Sequence, residues 1–134
     1  MKYICASLFY IFSLPTFATQ EPFLRPGLYE VRIGIAGNNV TSRQCYKAEQ
    51  VSTAGAWART LEDRLWESCK IQADEKSKDV FTWQSICKNS FTTSETIGEV
   101  LRSDNGFKAQ AKRTMGKVIQ EFPMEGKYLG ACPG

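Results

Sequence analysis

Four cysteines, Cys45, Cys69, Cys87 and Cys132, carry the clearest chemistry of this chain. None of them forms the Cys-x-x-Cys knuckle common in zinc sites, so the set reads as two structural disulfides and not as a metal centre. Histidine is absent from all 134 residues. That absence removes serine–histidine and cysteine–histidine nucleophiles, imidazole acid–base chemistry and the usual zinc ligation. No glycine-rich phosphate loop is present. What remains is acidic pairs. Glu62 and Asp63 are neighbours on an exposed helix face, so their side chains point apart. Glu95 and Glu99 share one strand face about 13 Å apart, at roughly 3.3 Å per residue, which is too far for most carboxylate pairs. The expectation is a protein that is not an enzyme, with no catalytic residue, no cofactor and no metal.

Disulfides need an oxidising compartment, and the N-terminus carries an export signal. Lys2 precedes an apolar run from Tyr3 to Leu14, broken by Pro15, and Thr16-Phe17-Ala18 supplies the small residues of a cleavage site. The run is shorter than the ~20 residues of a bilayer span. Residues 1–18 are therefore expected to be a signal peptide cleaved after Ala18, taking Cys5 with it. Residues 19–134 are then a single disulfide-bonded β domain in the periplasm or the extracellular space, with no integral membrane segment. The formal net charge is +3, from 17 basic and 14 acidic residues. This near balance makes no electrostatic case for nucleic acid.

The elements that position the cysteines are mostly strands. Arg25-Pro26-Gly27-Leu28-Tyr29-Glu30-Val31-Arg32-Ile33 opens the ordered chain with an alternation close to period 2. Gly37-Asn38-Asn39 is a turn signal, so 28–35 and 40–46 form a first hairpin. Asn39-Val40-Thr41 matches a glycosylation sequon in that turn. Trp57, Leu61 and Leu65 then recur every four residues, which predicts an amphipathic helix from Thr53 to Trp66, capped by Ser52 or Thr53. A second hairpin pairs 69–74 with 80–87 across a charged turn, and Phe81, Trp83, Ser85 and Cys87 share one face. Phe91 to Arg102 is a strand with Gly98 as a candidate bulge. Asn105-Gly106 favours a tight turn into Phe107 to Met115. Val118 to Phe122 and Tyr128 to Cys132 finish the sheet. The predicted fold is mainly β: an antiparallel meander of seven or eight strands, curled into a barrel or half-barrel, with one amphipathic helix inserted after the second strand.

Strict up-and-down parity places all four cysteines at one rim. Three pairings are open. Cys69–Cys87 with Cys45–Cys132 is favoured, since it joins the ends of one hairpin and ties the last strand to the first hairpin. Cys45–Cys69, clamping the helical insertion, is the rival.

Pro26-Gly27-Leu28-Tyr29-Glu30-Val31 resembles the Pro-Gly-Leu-Trp-Glu-Val opening of a bacterial exported family, domain of unknown function 3617. Cys45, Cys69, the pair Trp83 and Cys87, and the closing Gly126, Gly130 and Cys132 follow in that family's order. Tyr29 departs from its tryptophan, 47–68 is longer and more helical than its pattern, and the Met- and Gly-rich middle is missing. The resemblance implies an exported, disulfide-bonded β protein and no activity. Function is then expected to be non-enzymatic binding or envelope maintenance. Tyr29, Phe81, Trp83, Phe91 and Phe107 either line a cavity for a small apolar ligand or simply fill the interior. The alternative is a protein-binding module, such as an inhibitor of a cell-wall-degrading enzyme, that meets an envelope protein through the 74–79 or 103–106 loop.

Overall fold

The computed structural model describes residues 21–134, and the expected signal peptide and Cys5 lie outside the described residues. Among the described residues, seven strands form one sheet: β1 (Gly27–Ile35), β2 (Asn38–Tyr46), β3 (Ser68–Ser77), β4 (Val80–Lys88), β5 (Thr93–Ser103), β6 (Gly106–Met115) and β7 (Val118–Gly130). A 3₁₀ turn (Ala48–Gln50) and one helix, α1 (Ala54–Thr60), lie between β2 and β3. The order across the sheet is β2-β1-β7-β6-β5-β4-β3. The meander and its single helix are as expected. Among the described residues, closure into a barrel is not seen, because β2 and β3 are two free edges.

Parity explains the gap. Each neighbouring pair is antiparallel. Passing from β2 to β3 around the sheet crosses six such ladders, so β2 and β3 run in the same direction. The chain leaving β2 at one rim must therefore cross to the other rim before it enters β3. Residues 47–67 make that crossing. The expected single rim for all four cysteines is corrected by the same argument. Cys45 and Cys132 join at the rim where β2 and β7 end, whereas Cys69 and Cys87 face each other in register at the opposite rim.

Period-2 alternation sorts the strands into a charged outer face and an apolar inner face. Tyr29, Val31, Trp83, Val100, Phe107, Ala109, Ala111, Phe122 and Met124 are buried on the inner side. Trp57 of α1 closes over them, with ring centroids 5.2 Å from Trp83 and 5.1 Å from Phe107. Each such large side chain contributes about 1.5–3 kcal/mol by leaving water. The lead-in to β1 belongs to this core. Phe23 packs 4.9 Å from Phe81. Its N–H donates to Ser52 O and that of Leu24 to Val51 O, each at 3.2 Å. Arg102 donates to Phe23 O at 3.1 Å and pairs with Asp79 at 3.3 Å.

Four local expectations are corrected. The first turn is centred on Ala36-Gly37, one residue early, with positive φ at both (49° and 81°), as a two-residue hairpin turn requires. The helix stops at Thr60, six residues short. There Thr60 Oγ1 donates to Trp57 O at 2.6 Å, and the next two N–H groups bond three residues back, to Ala58 and Arg59. Gly98 marks no bulge, since both of its ladders are regular. The Trp83 indole lies against it, and a Cβ there would enter the ring. Finally, Val118–Gly130 is one strand through Pro123, because the β1 ladder ends at Met124 and asks for no N–H at Pro123.

Candidate binding cleft

The crossing segment leaves an open cleft of about 910 Å³ between itself and β2. One wall is the β1–β2 hairpin, with Ile33, Ile35, Ser42, Gln44 and Tyr46. The opposite wall is Arg59, Leu61, Asp63, Arg64 and Trp66 of the crossing segment. Arg113 of β6 and Gln120, Phe122 and Met124 of β7 form the floor. This places the cleft where an eighth strand would have closed the sheet.

A polar network holds one side of the cleft. Glu62 is turned inward, its side chain 3% exposed against 22% for Arg113. Arg113 Nη2 donates to both Glu62 oxygens at 3.2 Å, and Ser85 Oγ donates to Oε1 at 2.7 Å. Arg113 Nε donates to Thr96 Oγ1 at 3.0 Å, and the guanidinium lies 5.3 Å from the Phe122 ring centroid. Ser85 and Thr96 are buried on β4 and β5. The network thus fastens the end of the helical turn to three strands. A charged group buried with this many partners is firmly positioned.

The residues singled out from the sequence lie elsewhere. Tyr29, Trp83 and Phe107 are buried in the core beside the partly buried Phe81. Phe91 is 94% exposed, in the loop before β5, where Asn89 Oδ1 accepts from the N–H of Phe91 and Thr92. None of the five lines the cleft. Tyr29 donates to Arg25 O at 2.7 Å. Burial, with help from the neighbouring Tyr128 and Tyr46, pushes its phenol up to about 12 against the opposing pull of Arg25. Burial also raises the Tyr46 phenol, on the cleft wall. The two disulfides are the favoured pair, Cys45–Cys132 and Cys69–Cys87, with Cα atoms 5.6 and 4.1 Å apart. Glu62 and Asp63 both reach the cleft, but Glu62 is buried and off the helix, which corrects the expected exposed helical face. Glu95 and Glu99 are exposed on the outer face, and Gln84 donates to Glu95 at 3.0 Å. The expected 74–79 loop is corrected, since residues 74–77 continue β3 and only Lys78-Asp79 turn. This turn and Asp104-Asn105 lie at the same rim, where Arg102 pairs with Asp79.

Arg113 escaped the sequence reading although its signal was there. It follows Phe107, Ala109 and Ala111 on the inward row, and a charge in an apolar row needs a partner. That partner, Glu62, sits 51 residues away.

The two signature stretches of the sequence meet in the sheet. Leu28 pairs with Gly130, Tyr29 with Tyr128 and Val31 with Gly126. Gly27 comes so close to the same strand that a Cβ would stand 2.5 Å from Gly130 O, and one on Gly126 would enter the Phe107 ring. The sequence profile of the family described as "Protein of unknown function (DUF3617)" matches residues 24–132. The chain belongs to this family. Its matched region runs from Leu24, in the lead-in that plugs the core, to the last cysteine. No curated protein and no solved structure matches the chain. Among the described residues, no helix is long and apolar enough to cross a membrane.

Proposed function

We propose that this member of the DUF3617 family is an exported, non-enzymatic binding protein, and that the cleft beside β2 is its ligand site. The observation that carries this reading is a preformed cleft of about 910 Å³, at the upper end of the ~300–1,000 Å³ typical of ligand pockets. Its walls are stiffened by a disulfide at each rim. Apolar side chains such as Ile33, Leu61 and Met124 are mixed with Ser42, Gln44 and Gln120. That lining favours a ligand with both apolar and hydrogen-bonding groups.

Two points support binding without turnover. Glu62, the most buried carboxylate of the cleft, is committed to Arg113 and Ser85. The chain also contains no histidine to move a proton near neutral pH. Export agrees with two disulfides and with the signal-like segment before Ala18.

Trp66 is the cleft's own reporter, since Trp57 and Trp83 are buried in the core. Protein secreted to the periplasm and purified under native conditions is expected to carry or recapture a ligand that shifts Trp66 emission. A Trp66→Phe variant should lose that signal. If native mass spectrometry found the mature mass alone, and periplasmic extract changed no amide shift in the cleft, the reading would be wrong.

A further inference from the structure

The free edges of the sheet differ, and the difference points to the kind of ligand. β3 carries Lys70, Asp74, Glu75 and Lys76, and its register breaks between Glu75 and Ser77. Charges and a bulge are the usual defences of an edge against strand addition. β2 has none of these beyond Arg43: its nine pairs with β1 are unbroken and it contains no proline. The two-residue turn at Ala36-Gly37 sets the hydrogen-bonding phase of this hairpin. Ile35 and Asn38 exchange the first pair of bonds, so Asn39, Thr41 and Arg43 direct their N–H and C=O groups away from β1. Among the described residues, no backbone hydrogen bond outside the strand ladders uses them. They point off the open edge of the sheet, and the alternate residues Ser42 and Gln44 line the cleft beside it.

We propose that β2 takes an extended peptide as an added strand, with alternate peptide side chains entering the cleft. This rests on the cleft being the ligand site and names the chemistry of what enters it. An open row of alternating donors and acceptors is matched by another extended backbone, whereas a fatty acid would leave it unpaired. Because β2 and β3 run in the same direction, a strand antiparallel to β2 is antiparallel to β3 as well, and it continues the alternation of the sheet. Residues of the added strand opposite Ser42 and Gln44 point inward, toward Leu61, Trp66 and Met124. A second copy pairing through its own β2 would offer the row Val40, Ser42, Gln44 and Tyr46, of which Tyr46 is already buried against Tyr29 of its own chain, a poor filling for a cleft of about 910 Å³.

The test is selection from a displayed library of random linear peptides, followed by anisotropy titration of an enriched sequence. N-methylation of alternate peptide residues in one register should weaken binding at least about tenfold (about 1.4 kcal/mol). The other register should have little effect. Hydrogen exchange should slow at residues 39, 41 and 43. Thr41→Pro, with its folding checked by thermal melting, should abolish binding. The proposal is overturned if no peptide is enriched, if both registers are equally harmless, or if protection falls on β3. A dimer lost in Thr41→Pro would overturn it too, by assigning the edge to a second copy. A fluorescent fatty acid that shifts Trp66 emission when no peptide does would reject the peptide and leave the cleft reading standing. Failure of both probes to shift any cleft amide would count against both.

Discussion

Glu62→Ala tests whether a buried ion pair anchors the crossing segment. In the wild type, Glu62 accepts from Ser85 at 2.7 Å and from Arg113 at 3.2 Å. Hydrogen bonds to a charged group are each worth about 1.5–3 kcal/mol, and breaking a fully buried pair costs about 3–5 kcal/mol. Arg113 is 22% exposed, so water recovers part of its charge. The Ser85 hydroxyl is buried and loses its acceptor. The expected loss is about 3 kcal/mol, near the lower bound for a buried pair. Urea unfolding with both disulfides oxidised measures it as a shift in midpoint at unchanged slope. Arg113→Ala and the double variant complete a cycle, with an expected coupling of about 1.5–3 kcal/mol. Because the carboxylate is buried, moderate salt should change that coupling little. A coupling below about 0.5 kcal/mol is the range of exposed pairs, and it would refute the claim that this contact holds the cleft wall.

Two further perturbations probe the scaffold. The Cys45–Cys132 bridge spans 87 residues and Cys69–Cys87 spans 18. On the chain-entropy estimate, replacing each pair by alanines costs about 4.6 and about 3.2 kcal/mol respectively, and equal losses in thermal or denaturant unfolding would contradict that ranking. The Tyr29 phenol is raised to about 12 in the fold from 10.0, so the neutral form is favoured there. Its stabilisation is complete below pH 10 and is lost as pH rises towards 12. Tyr29→Phe should flatten stability over that window and cost about 1 kcal/mol at neutral pH through the lost bond to Arg25 O. Unfolding curves between pH 9 and 12 that were identical for the two proteins would contradict the assignment.

Local patterns made much of this molecule legible. Phe81, Trp83, Ser85 and Cys87 share the inner face as their spacing requires. The pairing of Cys69 with Cys87 followed from the ends of one hairpin. Errors arose where a local signal had two solutions. Gly37-Asn38 and Ala36-Gly37 both make turns, and a chain beyond the hairpin must choose the register. Leu65 continued the helical spacing of Trp57 and Leu61, yet it is exposed beyond the end of α1. The pull of Arg113 on Glu62 belongs to a contact 51 residues long, which no helical period contains.

By itself, the sequence determined the β alternation, the number of disulfides and the two stretches, around Pro26–Val31 and Gly126–Cys132, that mark the family. These depend on side-chain period, residue count and short runs of residue types, all of which are written locally. The tertiary structure alone decided that β2 and β3 run the same way, that 47–67 must cross between rims, and that an open cleft lies beside an undefended edge. Strand direction around a sheet is a sum over all its ladders. It exists only once β1 has paired with β7 as well as with β2.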